Sequence, residues 1–187
     1  LAQPPEIRER IKGIIYVDVF GVPADGPGFE RLGRNYGLHI IEDSAEALGS
    51  VYQDRKCGSF GDAALFAFYP NKQITTGEGG MLVTNNPEID RMARSLRNQG
   101  RDEGAGWLQH ARLGYNYRIS DINCALGIGQ MDRIEELISR RKQVKNQYDE
   151  LFSAVFKTGA LIGQAAPSEA DVNPFVYVLR LDESFSK

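Results

Sequence analysis

Three groups in this chain stand where an open α/β sheet does its chemistry, at the carboxyl ends of strands. Lys72 follows the apolar run "AALFAFYPN", Asp43 follows "LHIIE", and the glycines of "GEGG" precede "MLVT". A lysine held beside apolar surface is poorly hydrated, which disfavours its ammonium and leaves an amine able to attack a carbonyl and form a Schiff base. The plain alternative is a surface lysine in a loop, and spacing by itself favours that alternative. A carboxylate at a strand end can hold a cationic ring nitrogen, the partnership used with pyridoxal phosphate (PLP). It can also cap a helix begun by "SAEALG", and the two roles are compatible. "ITTGEGG" is not a phosphate loop of the Walker type, because Lys72 precedes the glycines instead of following them. Those glycines suit a tight entry into the next strand, where the backbone passes close to another group. "GYNYRISD" (114–121) sets an amide, two phenols and a guanidinium just before a helix, a set able to hold a phosphate or carboxylate. A solvated loop with buried tyrosines accounts for the same residues.

The elements that must position these groups alternate between strand and helix. Residues 6–12 are polar and could close a helix. "IIYVDVF" (14–20) reads as a buried strand, "FERLGRNYG" as a short amphipathic helix stopped at Gly37, and "LHIIED" as the next strand. Strand, helix, strand at this spacing is a βαβ unit and implies a parallel sheet. "SAEALGS" predicts one or two helical turns, 63–69 a third strand and 81–84 a fourth. "NNPEIDRMARSLRNQG" predicts a helix capped by Asn85 or Asn86, with Pro87 in its first turn and Gly100 at its end. Residues 101–118 read as irregular. Ser120 or Asp121 then caps one long helix to about Phe152, with apolar residues at three- and four-residue steps. A Pro/Gly-rich link, "GALIGQAAPSEADVNP", is the candidate domain boundary. A last strand, "FVYVLRL", follows it with nothing after it to pair with. Since the chain also opens on Leu1 without Met, we expect a piece of a longer protein.

The 187 residues are 42% apolar and 25% charged, a globular composition, with a net charge of −3 that offers no basic excess for nucleic acid. No apolar run approaches the ~20 residues of a membrane helix, and no secretory leader is visible. Two cysteines, Cys57 and Cys124, make no disulfide framework and sit in no metal-ligand spacing. They read as free thiols of a reducing, cytoplasmic compartment. Two histidines, His39 and His110, cannot build a histidine-rich metal site, and no metal is expected. His39 lies in a strand run and reads as structural. No G-x-G-x-x-G is present, which disfavours a nucleotide-binding α/β protein.

"IIEDSAEALGS", "GSFGDAALFAFYPNKQITTGEGGMLVT", "SLRNQGR" and "RLGYNYRISDINCALGIGQMDRIEELISRRK" together resemble the DegT/DnrJ/StrS nucleotide-sugar aminotransferases, in the family's order and spacing, from about Ile14 to Leu151. The resemblance implies a PLP enzyme of the aspartate aminotransferase fold (fold type I). This is an α/β fold whose mainly parallel sheet forms a large domain, here 1–118. A long helix, in 119–187, leads into a partial small domain. The reaction implied is transfer of an amino group from an amino acid, typically glutamate, to a keto group of a nucleotide-linked sugar, in polysaccharide biosynthesis. Lys72 stands where the family's Schiff-base lysine stands, and Asp43 where its pyridine-nitrogen carboxylate stands. Glu46 occupies the position, often Gln or His in relatives, that contacts the ring hydroxyl. Asn116 stands where the family reaches across a homodimer to the cofactor phosphate, with Arg118 beside it for the loop or a substrate anion. Many relatives have Ser where this chain has Ala67, five residues before the lysine, so phosphate binding would lean on Asn116. The family's phosphate cradle and ring-stacking aromatic precede Leu1, so this 187-residue form is expected to be at most partly loaded with PLP. The PLP-dependent sugar dehydratases replace the lysine by His, and Lys72 argues against them. A non-catalytic or regulatory fragment, keeping the fold as an interaction module, is the alternative from another class.

Overall fold

A computed structural model describes residues 9–185. The helix considered for 6–12 lies partly outside them, and residues 9–12 form a turn and an extended approach to the first strand. A four-stranded sheet in the order β1-β2-β5-β6 carries the molecule. β1 (Gly13–Val17), β2 (His39–Asp43) and β5 (Ala63–Ala67) run parallel, and β6 (Gly80–Val83) folds back antiparallel on β5. The fold is α/β, as expected.

β1 is shorter than its apolar run, and it is not buried throughout. Tyr16 is buried, but Ile15 and Val17 on the other face are 66% and 45% exposed. The run stops because Phe20 turns into the left-handed region (φ 59°, ψ 21°), within a single 3-10 turn over Val19–Gly21. Helix α1 (Gly26–Tyr36) then crosses to β2. Asp25 caps it by accepting from Gly28 N at 2.9 Å, Pro27 sits in its first turn, and Gly37 closes it at φ 63°. Between α1 and the sheet lies the core: Tyr16, Ile40, Tyr52 and Phe60, joined by Phe29, whose ring stacks on Tyr16 at 4.3 Å.

Two short strands escaped the sequence reading. β3 (Val51–Tyr52) and β4 (Arg55–Lys56) form a hairpin whose two turn residues, Gln53 and Asp54, both have positive φ. Four strand residues give no periodic signal to read. Within the Pro/Gly-rich stretch, β8 (Ala170–Asp171) pairs antiparallel with β3, and β7 (Leu161–Gly163) pairs with β9 (Leu179–Leu181). The last strand therefore pairs backwards, and only three residues of "FVYVLRL" belong to it.

"SAEALGS" is not helical. It makes two consecutive turns, Ala47 N to Ser44 O and Ser50 N to Ala47 O, with Gly49 at φ 85°. Helix α2 (Pro87–Arg97) starts as expected on Asn86, whose side chain accepts from Glu88 N and Ile89 N. The long helix is two: α3 (Asp121–Met131), capped by Ser120, and α4 (Ile134–Thr158), separated at Arg133 (φ −115°, ψ 14°). The apolar period runs across the break, so the sequence pattern does not register it. α4 also runs past Phe152 to a left-handed Gly159.

Candidate active site

Lys72 sits on the loop between β5 and β6. The neck of that loop is laced by Phe68 N to Gly79 O at 2.9 Å, Thr76 N to Phe68 O at 3.0 Å and Lys72 N to Tyr69 O at 3.0 Å. Gly79 is needed there: at φ 154°, a Cβ on it would come within 2.5 Å of Thr76 Oγ1. This is the close backbone approach that the "GEGG" run predicts.

The Lys72 side chain is only 14% exposed, and its Nζ lies 3.4 Å from Glu46 Oε1. Glu46 is itself aimed. Its Oε2 accepts from Phe20 N at 2.8 Å, and its carbonyl accepts from the buried Gln73 amide. The left-handed Phe20 is what turns that N–H toward the carboxylate. The Phe175 ring lies under the Lys72 amine at 4.4 Å, near enough for a cation–π contact. Arg141 donates to Lys72 O at 3.0 Å and to Phe175 O at 3.2 Å.

Asp43 closes β2, level with Leu65 of β5. Its Oδ1 accepts from Ala45 N at 3.1 Å, so it caps a turn where a helix cap was expected. Its other carboxylate oxygen makes no hydrogen bond among the described residues. Behind it, Asp18 donates its N–H to Asp43 O at 3.0 Å. The Asp18 carboxylate accepts from Ala24 N at 2.9 Å and from Ser44 Oγ at 2.8 Å. Asp18 and Ser44 are both buried, so the end of β2 is held from below by a closed set of hydrogen bonds.

Glu42 points into the core on the same strand and is fully buried. Phe60 N donates to one oxygen at 2.9 Å, and the other has no partner. Burial pushes the Glu42 carboxyl up to about 7, against the pull of the Gly58 and Phe60 N–H groups. Cys57, although in no ligand spacing along the chain, sits with Asp18 and Glu42, ligand atoms within 4.8 Å of one another. Burial raises both the Cys57 thiol and the Tyr16 phenol well above their ordinary values. Burial thus makes Glu42, Cys57 and Tyr16 all hold their protons more tightly, and the Asp18 carboxylate among them is already hydrogen-bonded to Ala24 N and Ser44 Oγ. No disulfide joins Cys57 to Cys124, and both thiols are free. His39 is at the start of the inner strand β2 with its side chain 79% exposed, 3.5 Å from Asp62, outside the core.

A folded-state acid raised above its unfolded value binds its proton more tightly in the native protein. Stability is then full at low pH and falls as pH rises from about 4.5 through about 7. Glu42→Gln keeps an oxygen for Phe60 N and removes the titration. Urea unfolding of the full-length protein across pH 5 to 8 should show wild type losing roughly 1–3 kcal/mol relative to the variant. Parallel pH profiles would show that Glu42 carries no buried proton.

Asn116 and Arg118 stand elsewhere. Their segment runs along the end of α2, with Tyr115 N on Leu96 O at 2.7 Å and Tyr117 N on Arg97 O at 2.9 Å. Arg118 donates to Asn98 Oδ1 at 2.9 Å. Both residues are exposed. Tyr115 and Tyr117 are exposed and stacked on each other, not buried. Among the described residues, no hydrogen bond or ion pair joins Asn116 or Arg118 to Lys72, Asp43 or Glu46. The chain therefore pairs Lys72 with Glu46, three residues beyond the strand end that Asp43 closes, and leaves Asn116 and Arg118 open on its surface. Phe20, Asp18, Arg141 and Phe175 belong to the site's construction, and no local sequence pattern marks them. The donor set suits PLP: a nearly buried amine, a strand-end carboxylate with one oxygen uncommitted, and a second carboxylate beside the amine.

Known proteins carry similar sequences. A GDP-perosamine synthase from Caulobacter vibrioides is 39% identical over 144 residues, covering 77% of this chain and 38% of that protein. A UDP-4-amino-4,6-dideoxy-N-acetyl-beta-L-altrosamine transaminase from Campylobacter jejuni is 38% identical, covering 76% and 38%. Among solved structures, Helicobacter pylori PseC, an aminotransferase of pseudoaminic acid biosynthesis, superposes with a TM-score of 0.86 at 29% identity, covering 95% of this chain and 47% of its own. The aminotransferase TlmJ from Streptoalloteichus hindustanus also gives 0.86, at 28% identity, covering 99% and 49%. The chain spans about two fifths of the length of the curated relatives it matches. The aminotransferases of this group depend on PLP, and one sugar aminotransferase from Streptococcus pneumoniae is known in both its PLP and PMP forms. A family model matches residues 5–187, all but the first four, and with the Lys72, Asp43 and Glu46 arrangement already in place it assigns the chain to the DegT/DnrJ/EryC1/StrS aminotransferase family.

Proposed function

We propose that the protein containing this chain moves an amino group from glutamate to the keto group of a nucleotide-linked sugar, using PLP bound at Lys72. The observation that carries the reading is the meeting of Lys72 and Glu46 at 3.4 Å, beside the strand end that presents Asp43. Bound PLP supplies the electron sink that makes the substrate carbon acidic. The rest falls to side chains of this chain. Lys72 Nζ holds the cofactor and, once free, takes up and returns the proton at the reacting carbon. Glu46, anchored on Phe20 N by one oxygen, keeps the other on the Lys72 amine and so fixes where that amine returns. Asp43 offers its uncommitted oxygen to the ring nitrogen, and its charge keeps that nitrogen protonated. Asn116, and Arg118 with it, serve the cofactor phosphate or a substrate anion of a second subunit, which their exposure supports. We assign residues 1–118 to the cofactor domain and 119–187 to the connection into the small domain. The two free cysteines support a reducing, cytoplasmic setting, and no described helix is long and apolar enough to cross a membrane.

Mixing two inactive variants tests function and sharing together. Full-length protein given glutamate and a panel of nucleotide-linked keto-sugars should release 2-oxoglutarate only when a keto-sugar is present. Lys72→Ala and Asn116→Ala homodimers should each be weak or dead. Without a Ser at Ala67, one lost hydrogen bond to a charged group costs roughly 1.5–3 kcal/mol, on the order of 10- to 150-fold in affinity. After subunit exchange, a heterodimer holds one site with both residues intact, and part of the activity should return. No recovery on mixing would place both residues in one chain's site. Absence of 2-oxoglutarate from wild type with every keto-sugar would overturn the transfer reaction.

A further inference from the structure

One guanidinium ties three distant pieces of the chain together at Lys72. Arg141, on α4, donates to Lys72 O at 3.0 Å, to Phe175 O at 3.2 Å and to Pro174 O at 3.4 Å. No carboxylate pairs with it among the described residues. Burial alone acts on it, pulling it below the usual guanidinium range. A half-buried cation without an anionic partner loses hydration that ordinary structural arginines recover from a carboxylate. Here that role goes to three main-chain carbonyls, and two are tied to the site: one belongs to Lys72 itself and one to the residue whose ring lies 4.4 Å from the Lys72 amine. Phe175 N in turn donates to Phe20 O, on the residue that anchors Glu46. The amine, the ring beneath it and the carboxylate beside it are thereby set by one hydrogen-bonded frame whose hub is Arg141.

We infer that Arg141 is a positioning residue for Lys72, and that Phe175, held by the same guanidinium, forms the floor on which the Lys72 amine lies. The inference rests on Lys72 being the cofactor-bearing lysine. A lysine cannot replace the arginine. Its single ammonium cannot span carbonyls from two separate segments in the fixed fork of a guanidinium. Loss of the frame lets the amine wander, and a misplacement of about 1 Å can cost on the order of 100-fold in rate.

The test uses full-length protein as wild type, Arg141→Met, Arg141→Lys and Phe175→Leu. Borohydride trapping with PLP, followed by peptide mapping of wild type, first locates the label. A label away from Lys72 overturns the underlying reading, and this inference with it. With the label on Lys72, the rate of PLP incorporation into apoprotein is compared across the variants. Arg141→Met and Arg141→Lys should each slow incorporation and lower kcat by about 10- to 100-fold with KM for the sugar little changed, and guanidinium ion should restore part of the loss in Arg141→Met. Phe175→Leu, which conserves apolar volume, should slow incorporation without guanidinium rescue. Normal incorporation and kcat in Arg141→Met, or the same guanidinium response in wild type, would overturn the role of Arg141. Should Arg141→Met fail to fold, Arg141→Lys and Phe175→Leu decide: normal rates in both would overturn the frame.

Discussion

Replacing Lys72 by alanine in the full-length protein is expected to end amino transfer while leaving the fold in place. The proton relay alone is worth about 10²–10⁴ in rate, and the covalent attachment is lost with it, so activity should fall below detection. The structural cost is small. The amine's partners are one carboxylate at 3.4 Å and the Phe175 ring at 4.4 Å, and Glu46 keeps its hold on Phe20 N, so unfolding free energy should change by about 1–2 kcal/mol. Lys72→Arg separates the two roles of the side chain. It keeps a cation for Glu46 and for the Phe175 ring but cannot form the covalent link. Inactivity of both variants, with melting temperatures near wild type, is the expected pattern. Measurable turnover in Lys72→Arg would mean that charge, not covalent chemistry, is what the site requires of this position.

The second large effect is expected at Asp43. Asp43→Asn retains an oxygen for Ala45 N, the one hydrogen bond its carboxylate makes among the described residues, and Asn serves such a turn about as well as Asp. Denaturant midpoints should barely move. Turnover should fall on the order of 10²–10³-fold, the usual loss when one preorganised electrostatic contact to the reacting system is removed. The absorption band of the bound cofactor should change with it, because the ring nitrogen loses the charge that keeps it protonated. Near-normal turnover in the asparagine variant would reduce Asp43 to its turn.

Apolar strands single out Lys72 and Asp43 locally, but spacing leaves Lys72 as readily a surface lysine and Asp43 a cap, and only the family motif gives each a role. Glu46 was legible only through the spacing of a whole motif. Its pairing with Lys72 spans 26 residues, and no local pattern encodes such a distance. The supports are harder still. Arg141 reaches Lys72 across 69 positions, and α4's helical period says which face of Arg141 is polar but not what that face meets. Phe175 lies inside a run that reads as strand, yet the backbone bends there, its N–H bonded to Phe20 O and its carbonyl to Arg141, and strand pairing resumes only at Leu179. The same blindness to partners explains the half-open β1. Its composition reads as buried on both faces, and the partner on one face cannot be inferred from β1 itself. The break at Arg133 went unread for a different reason: no Gly or Pro marks it, and a one-residue excursion leaves the apolar period on either side in phase.

Asn173 gives the chain a timetable. Its N–H donates to Ser50 Oγ at 2.9 Å and its side-chain amide to Leu48 O at 2.6 Å, across 123 and 125 residues. Ser50 Oγ in turn donates to Gly21 O at 2.8 Å. At translation speeds of about 5–20 residues per second, roughly 6–25 s separate the emergence of Ser50 from that of Asn173. Within that interval the β1-β2 pair, and then β2-β5 once Ala63–Ala67 has emerged, are on the nascent chain, while the turn after Asp43 lacks its long-range clasp. Closing so large a loop comes late because its entropy must be met before its contacts form. The strand that carries Asp43 is thus assembled early, and the surroundings that complete the site lock only once the ribosome has delivered the segment that also carries Phe175.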